Sequence, residues 1–70
     1  MDATKLVHMA NQIALNFRLQ PTDDAAALTA EHLKAFWSPA MRQALVAHLA
    51  SGGEGLEPLA KAAAARLSPG

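Results

Sequence analysis

Proline and glycine divide this 70-residue sequence into four segments that are rich in alanine and leucine. The dividing residues are Pro21, Pro39 and the glycines between residues 52 and 55. Alanine and leucine favour helices, whereas only three residues are valine or isoleucine and none is tyrosine, so little in the sequence favours β-strands. The sequence therefore predicts an all-α fold.

The apolar residues of each segment recur at helical spacing, as they do in the first segment at Leu6, Ala10, Ile13 and Phe17. Ser38 followed by Pro39 is a typical start of the third helix, and Gly52 suits its end. We predict one small domain over residues 1–70, a bundle of three longer helices plus a short C-terminal helix. The predicted helices span about residues 4–19, 22–37, 39–51 and 57–67, with Asp2 or Thr4 capping the first, Thr22 capping the second, and a frayed tail at 68–70.

The second predicted helix carries two neighbouring apolar stripes. One stripe consists of Leu28, His32, Ala35 and Phe36. The other consists of Ala26, Ala30, Leu33 and Trp37. A helix that is apolar on two adjacent faces is expected to contact more than one neighbour.

The apolar content is thin, because 17 residues are alanine and only 18 large apolar side chains remain when Met1 is set aside. A small domain with so few large side chains buries little apolar surface on folding. We expect such a chain to rely on the surface of a partner.

Charge and cysteine content exclude several classes of protein. Six Lys and Arg balance six Asp and Glu, so the basic face that nucleic-acid binding needs is not expected. No apolar run approaches the roughly 20 residues of a membrane span, so we expect no membrane association. The sequence has no cysteine, which fits the reducing cytoplasm and leaves no thiolate to bind a metal.

Residues with catalytic or metal-binding potential are few. His8, His32 and His48 lie on three predicted helices without the i, i+4 pairing of a helical zinc site. The stretch SGGEGLEP lacks the lysine and spacing of a phosphate loop, and a helix stop followed by a turn explains its glycines. We therefore expect no catalytic residue, no metal and no cofactor on this chain.

Several side chains could bind a partner protein. Trp37, the single tryptophan, suits an anchor of the core or a hot spot of an interface, and the two roles are compatible if one edge of the ring is buried and the other is exposed. Asn11 and Gln12 lie on an apolar helix, where their amides either face solvent or bond the backbone of a partner. Arg42 is either a solvated surface charge or the partner of a carboxylate on another protein.

Three blocks of the sequence resemble, in order and spacing, the small delta subunit of NAD-dependent formate dehydrogenases. The blocks are KLVHMANQIALNF (5–17), HLKAFWSPAMRQALVAHL (32–49) and GGEGLEPLAKAA (52–63). The residues that carry the resemblance are Leu6, Val7, Met9–Ile13, Phe36, Trp37, Pro39, Met41, Arg42, Ala44, Leu45, His48, Gly52, Gly53, Gly55, Leu56 and Pro58.

The resemblance implies a non-catalytic accessory subunit that binds the large catalytic subunit, stabilises it or aids its assembly or cofactor insertion. Relatives accompany subunits that carry a molybdenum or tungsten bis-pterin, iron–sulfur clusters, FMN and NAD, and this chain is expected to bind none of them. The partner-binding surface is expected to include Asn11, Gln12, Trp37, Pro39, Arg42 and His48.

Two other classes of function remain open from the residues alone. One is a free-standing helical homodimer that acts as an adaptor or chaperone. The other, which the neutral charge disfavours, is a helix-turn-helix nucleic-acid binder that uses the Ser38-Pro39 corner as its turn.

Overall fold

The computed structural model describes residues 2–67, apart from the side chain of Thr22, and these residues form four helices. They are α1 (Ala3–Leu15), α2 (Thr22–Phe36), α3 (Pro39–Ala50) and α4 (Pro58–Leu67). No strand occurs between residues 2 and 67, so the prediction of an all-α bundle with three longer helices and a shorter fourth is confirmed. The predicted tail at 68–70 lies outside the described residues.

Side chains cap two of the helix starts as the sequence predicts. The carboxylate of Asp2 accepts a hydrogen bond from the Thr4 amide at 3.1 Å at the start of α1. The hydroxyl of Ser38 accepts one from the Met41 amide at 3.2 Å at the start of α3. Each bond satisfies an amide that has no partner within its own helix.

The predicted cap of α2 is wrong by one residue. Thr22 is the first residue of the helix, and Pro21 occupies the N-cap position without a side-chain cap bond. The Pro21 carbonyl accepts the first helical bond, from the Ala25 amide at 2.8 Å. The carbonyl of an N-cap proline is free to accept this bond, so the helix begins at the next residue, Thr22.

The end of α1 also differs from the prediction, because the helix stops at Leu15 and not at Leu19. Beyond it the chain tightens into turns, with the Phe17 amide bonded to the Ala14 carbonyl at 3.0 Å and the Gln20 amide to the Phe17 carbonyl at 3.0 Å. These bonds join residues three positions apart, which is typical of turns and not of an α-helix. The apolar spacing that reaches Phe17 therefore continues past the end of the helix.

Small residues allow the helices to approach closely around one core. Eight of the 14 buried apolar residues are alanine, at positions 10, 14, 25, 26, 30, 60, 63 and 64. The larger buried side chains are Leu6, Val7, Leu33, Trp37, Leu45 and Leu56. The most extensive packing joins α2 and α4, the two helices that carry most of the buried alanines. Short side chains at a contact reduce the distance between helix axes.

The end of α3 leads into a glycine-containing loop over residues 51–57. The Gly53 amide bonds the His48 carbonyl at 2.9 Å and the Gly52 amide bonds the Leu49 carbonyl at 3.0 Å, the two bonds of a Schellman motif. Gly52 and Gly53 both have positive φ, at 120° and 64°. The predicted glycine stop of α3 is therefore confirmed.

Candidate protein-binding site

Trp37 lies in the core and not on the surface, since only 6% of it is exposed. It follows α2 in an extended conformation, and its amide still bonds the Leu33 carbonyl at 2.9 Å. The turn at this position directs the indole toward the buried leucines and alanines of the bundle. Of the two roles open from the sequence, the structure shows the core anchor.

The guanidinium of Arg42 closes the corner between α2 and α3. Its Nη1 atom donates to the Trp37 carbonyl at 2.7 Å and to the Lys34 carbonyl at 3.0 Å. These carbonyls end α2, where no amide of the same helix follows to bond them. A cation at a helix C-terminus also interacts favourably with the helix dipole. Arg42 therefore serves the corner of its own chain.

Asn11 joins α1 to the loop of residues 51–57. Its Nδ2 atom donates to the Gly55 carbonyl at 3.0 Å, and its Oδ1 atom accepts from the Glu57 amide at 2.9 Å. The side-chain amide thus pairs with the backbone as a neighbouring strand would. The neighbouring Gln12 is exposed.

His48 holds the other side of the same loop. Its Nε2 atom lies 2.8 Å from the Glu54 carbonyl oxygen. Since a carbonyl only accepts, the Nε2 atom carries the proton in this bond. Asn11 and His48 together fix the loop to two helices.

The six residues predicted to bind a partner do not form one surface. Trp37 is interior. Pro39 and Arg42 line a groove along α3, whereas Asn11 and Gln12 line a groove between α1 and the start of α4. His48 lines a third depression. Whether any of them contacts a partner stays a prediction. Four of them already contribute their side chains to the fold.

A different apolar surface faces solvent on α2. We define the α2 outer face as Leu28, His32, Ala35 and Phe36 together with Phe17. Phe36 is 75% exposed and Leu28 is 41% exposed. The ring centroids of His32 and Phe36 are 4.6 Å apart, and those of Phe17 and His32 are 6.4 Å apart.

The comparison with known families decides the identity of the chain. A family model described as the NADH-dependent formate dehydrogenase delta subunit FdsD matches residues 5–64. The chain belongs to this family. Searches among curated proteins and among solved structures find no match.

The match to the delta-subunit family covers all three blocks that carry the resemblance in the sequence, together with the whole α2 outer face. Four residues of these blocks, Asn11, Trp37, Arg42 and His48, have roles within the chain in this structure. These four residues of the resemblance therefore contribute to the fold of this chain.

The partner-binding residues expected from the sequence do not include the α2 outer face. The sequence signal for this face is the second apolar stripe of α2. The other stripe, which contains Leu33 and Trp37, packs in the core. Because the stripe with Leu33 and Trp37 fills the core, the stripe with Leu28 and Phe36 is the one that faces outward.

The described residues hold neither a cluster of metal-ligating side chains nor a membrane-spanning helix. Between residues 2 and 67, no group of three histidine, aspartate or glutamate side chains comes together. In the same part of the chain, no helix has both the length and the hydropathy to cross a bilayer.

Proposed function

We propose that this delta-subunit chain is a non-catalytic accessory subunit of an NADH-dependent formate dehydrogenase that binds the large catalytic subunit. Binding stabilises that subunit or assists its assembly and cofactor insertion. Family membership supports the association with formate dehydrogenase. The observation that carries the accessory role is the contrast between polar side chains that bond the backbone of their own chain and the apolar α2 outer face, on which Phe36 is 75% exposed.

Several polar side chains bond the backbone of their own chain. Asn11, Arg42 and His48 each bond a carbonyl, and the buried hydroxyl of Thr29 donates to the Ala25 carbonyl at 2.7 Å. A nucleophile or general base needs a neighbouring side chain that orients or activates it. Side chains committed to backbone bonds support a scaffold role and not a reaction.

The cofactors of the reaction belong, in this proposal, to the partner subunits. The molybdenum or tungsten bis-pterin, the iron–sulfur clusters, FMN and NAD would all be held there. Iron–sulfur clusters require cysteine thiolates, and the chain contains no cysteine. In the glycine loop at residues 51–57, the Gly55 carbonyl and the Glu57 amide bond Asn11, and the Glu54 carbonyl bonds His48. We place the complex in the cytoplasm.

Co-expression tests the proposal directly. The large catalytic subunit is produced with and without this chain, and its yield, metal content and formate-dependent NAD reduction are measured. The tagged chain is expected to retain the large subunit, and its omission is expected to lower yield or metal content. A large subunit that is equally abundant, equally loaded and never retained by the chain contradicts the proposal.

A further inference from the structure

The α2 outer face is an uncovered aromatic surface on a protein with a thin core. Phe36 and Leu28 stand at its two ends, two helical turns apart, with His32 and Ala35 between them. Monomeric proteins rarely leave a contiguous aromatic and aliphatic surface in water without a function. The spacing i, i+4, i+7 and i+8 is that of a helix seated in an apolar groove.

We propose that the α2 outer face docks into a concave apolar surface of the large catalytic subunit whose rim carries lysine or arginine residues. This inference rests on the proposed function. Phe36 and Leu28 fill pockets of that surface, and Ala35 allows the partner's backbone to approach α2 between them. Large side chains at the ends with a small one between give the shape complementarity that an interface needs.

Charge on the flank of the face indicates the chemistry of the rim. Asp24 lies one turn before Leu28, and Glu31 lies between Leu28 and Ala35 on the same side of the helix, and both are exposed. The one lysine of α2, Lys34, lies about 60° beyond Glu31 and about 120° around the helix from Leu28 at 100° per residue, so it is farther from the face than either acidic residue. The flank is therefore acidic, and a partner rim of basic residues complements it.

A second copy of this chain fits the face poorly. Two copies paired through it would place the acidic flanks of both helices in one interface without a basic residue from either face. The face offers on the order of 300 Å², whereas a stable interface buries about 800 Å² on each side. A concave surface on a larger protein reaches the missing area because it also contacts the sides of α2.

A matched pair of leucines tests the location of the interface. Leu28→Ser alters the α2 outer face, whereas Leu15→Ser alters a leucine of similar exposure, 49% against 41%, that lines the groove between α1 and α4. Phe36→Ser and Glu31→Lys are added for the aromatic end and the acidic flank. For each tagged variant, the retained large subunit is measured by quantitative pulldown, and the helicity and unfolding midpoint of the isolated chain are measured in parallel.

We expect Leu28→Ser and Phe36→Ser to lower the affinity for the large subunit roughly tenfold or more with little change in helicity, because exposed side chains contribute little to folding. Glu31→Lys is expected to weaken binding most strongly at low salt. Leu15→Ser is expected to bind as wild type does.

The other outcomes separate the two proposals. If the wild-type chain does not retain the large subunit, the proposed function fails. If the wild type is retained and Phe36→Ser and Leu28→Ser bind equally well, the function stands and this inference is overturned. If only Leu15→Ser loses retention of the large subunit, the interface lies at the groove between α1 and α4. If the isolated chain forms a dimer that Phe36→Ser dissociates without affecting retention, the face binds a second copy of the chain. Both of these results also overturn the inference.

Discussion

The Nη1 atom of Arg42 donates to the carbonyl oxygen of Trp37 over 2.7 Å, across the corner at which α2 ends and α3 begins. The corner has one residue, Ser38, between Trp37 and the first residue of α3. The last carbonyls of α2 have no amide partners at so short a connection, and the guanidinium of Arg42 donates to them instead. The same bonds fix the backbone at Trp37, whose indole lies in the core.

Replacing Arg42 should therefore destabilise the chain itself. We expect Arg42→Ala to lower the free energy of unfolding by about 1–2 kcal/mol, because two bonds from a charged donor to carbonyls are lost. Urea unfolding followed by circular dichroism measures the change. Arg18→Ala, an exposed arginine in the turns after α1, serves as the control and should shift stability by less than about 0.5 kcal/mol. Equal stability of the two variants would show that the corner does not need the guanidinium.

Trp37 should behave as a core residue in mutation. Trp37→Ala is expected to cost about 3–5 kcal/mol, a large share of the total stability of a small domain. The helicity of the isolated chain should fall, and retention of the large subunit should fall with it. Trp37→Phe should keep more of both than Trp37→Ala does. A Trp37→Ala chain that stays fully helical but no longer retains the large subunit would show that the indole acts at an interface and not in the core.

Asn11 and Gln12 are adjacent but should respond differently. Asn11→Ala removes both bonds to the loop and should cost about 1–2 kcal/mol of unfolding free energy. Gln12→Ala alters an exposed side chain and should change stability by less than about 0.5 kcal/mol. Thermal unfolding of the two variants gives the comparison. If Asn11→Ala melts as wild type does, the amide has no structural role in the loop.

Two glycines of the loop form another matched pair. Both have positive φ, 120° at Gly52 and 86° at Gly55, so alanine is strained at either position. A Cβ at Gly55 would lie 3.3 Å from Cγ1 of Val7, whereas one at Gly52 would meet nothing within 4 Å. We expect Gly55→Ala to destabilise the chain by about 1 kcal/mol more than Gly52→Ala. Equal unfolding midpoints would show that the loop relaxes away from α1.

Local signals in the sequence predicted most of the fold. Ser38 with Pro39 marked the corner and Gly52 with Gly53 marked the end of α3, because caps and stops depend on residues that are adjacent in sequence. The end of α1 was not predictable from spacing, since Phe17 continues the apolar pattern after the helix has given way to turns.

The candidate site was harder to predict, because it depends on contacts between distant residues. Asn11 bonds residues 44 and 46 positions away, so its role in the loop cannot be read from its own helix. Which stripe of α2 faces the core depends on the alanines of α4 that pack against it. The sequence therefore shows the stripe with Phe36, but only the packed bundle shows that this stripe is the exposed one.

Cysteine labelling provides the most direct measurement, because the natural chain contains no cysteine to interfere. A single cysteine is introduced by Leu28→Cys or by Leu15→Cys, and maleimide labelling of this chain is followed by mass spectrometry, free and in complex with the large subunit. We predict that the cysteine at position 28 reacts readily in the free chain and is protected in the complex, while the one at position 15 reacts in both. Labelling of position 28 at the same rate in the free chain and in the complex would contradict the assignment of the α2 outer face to the large subunit.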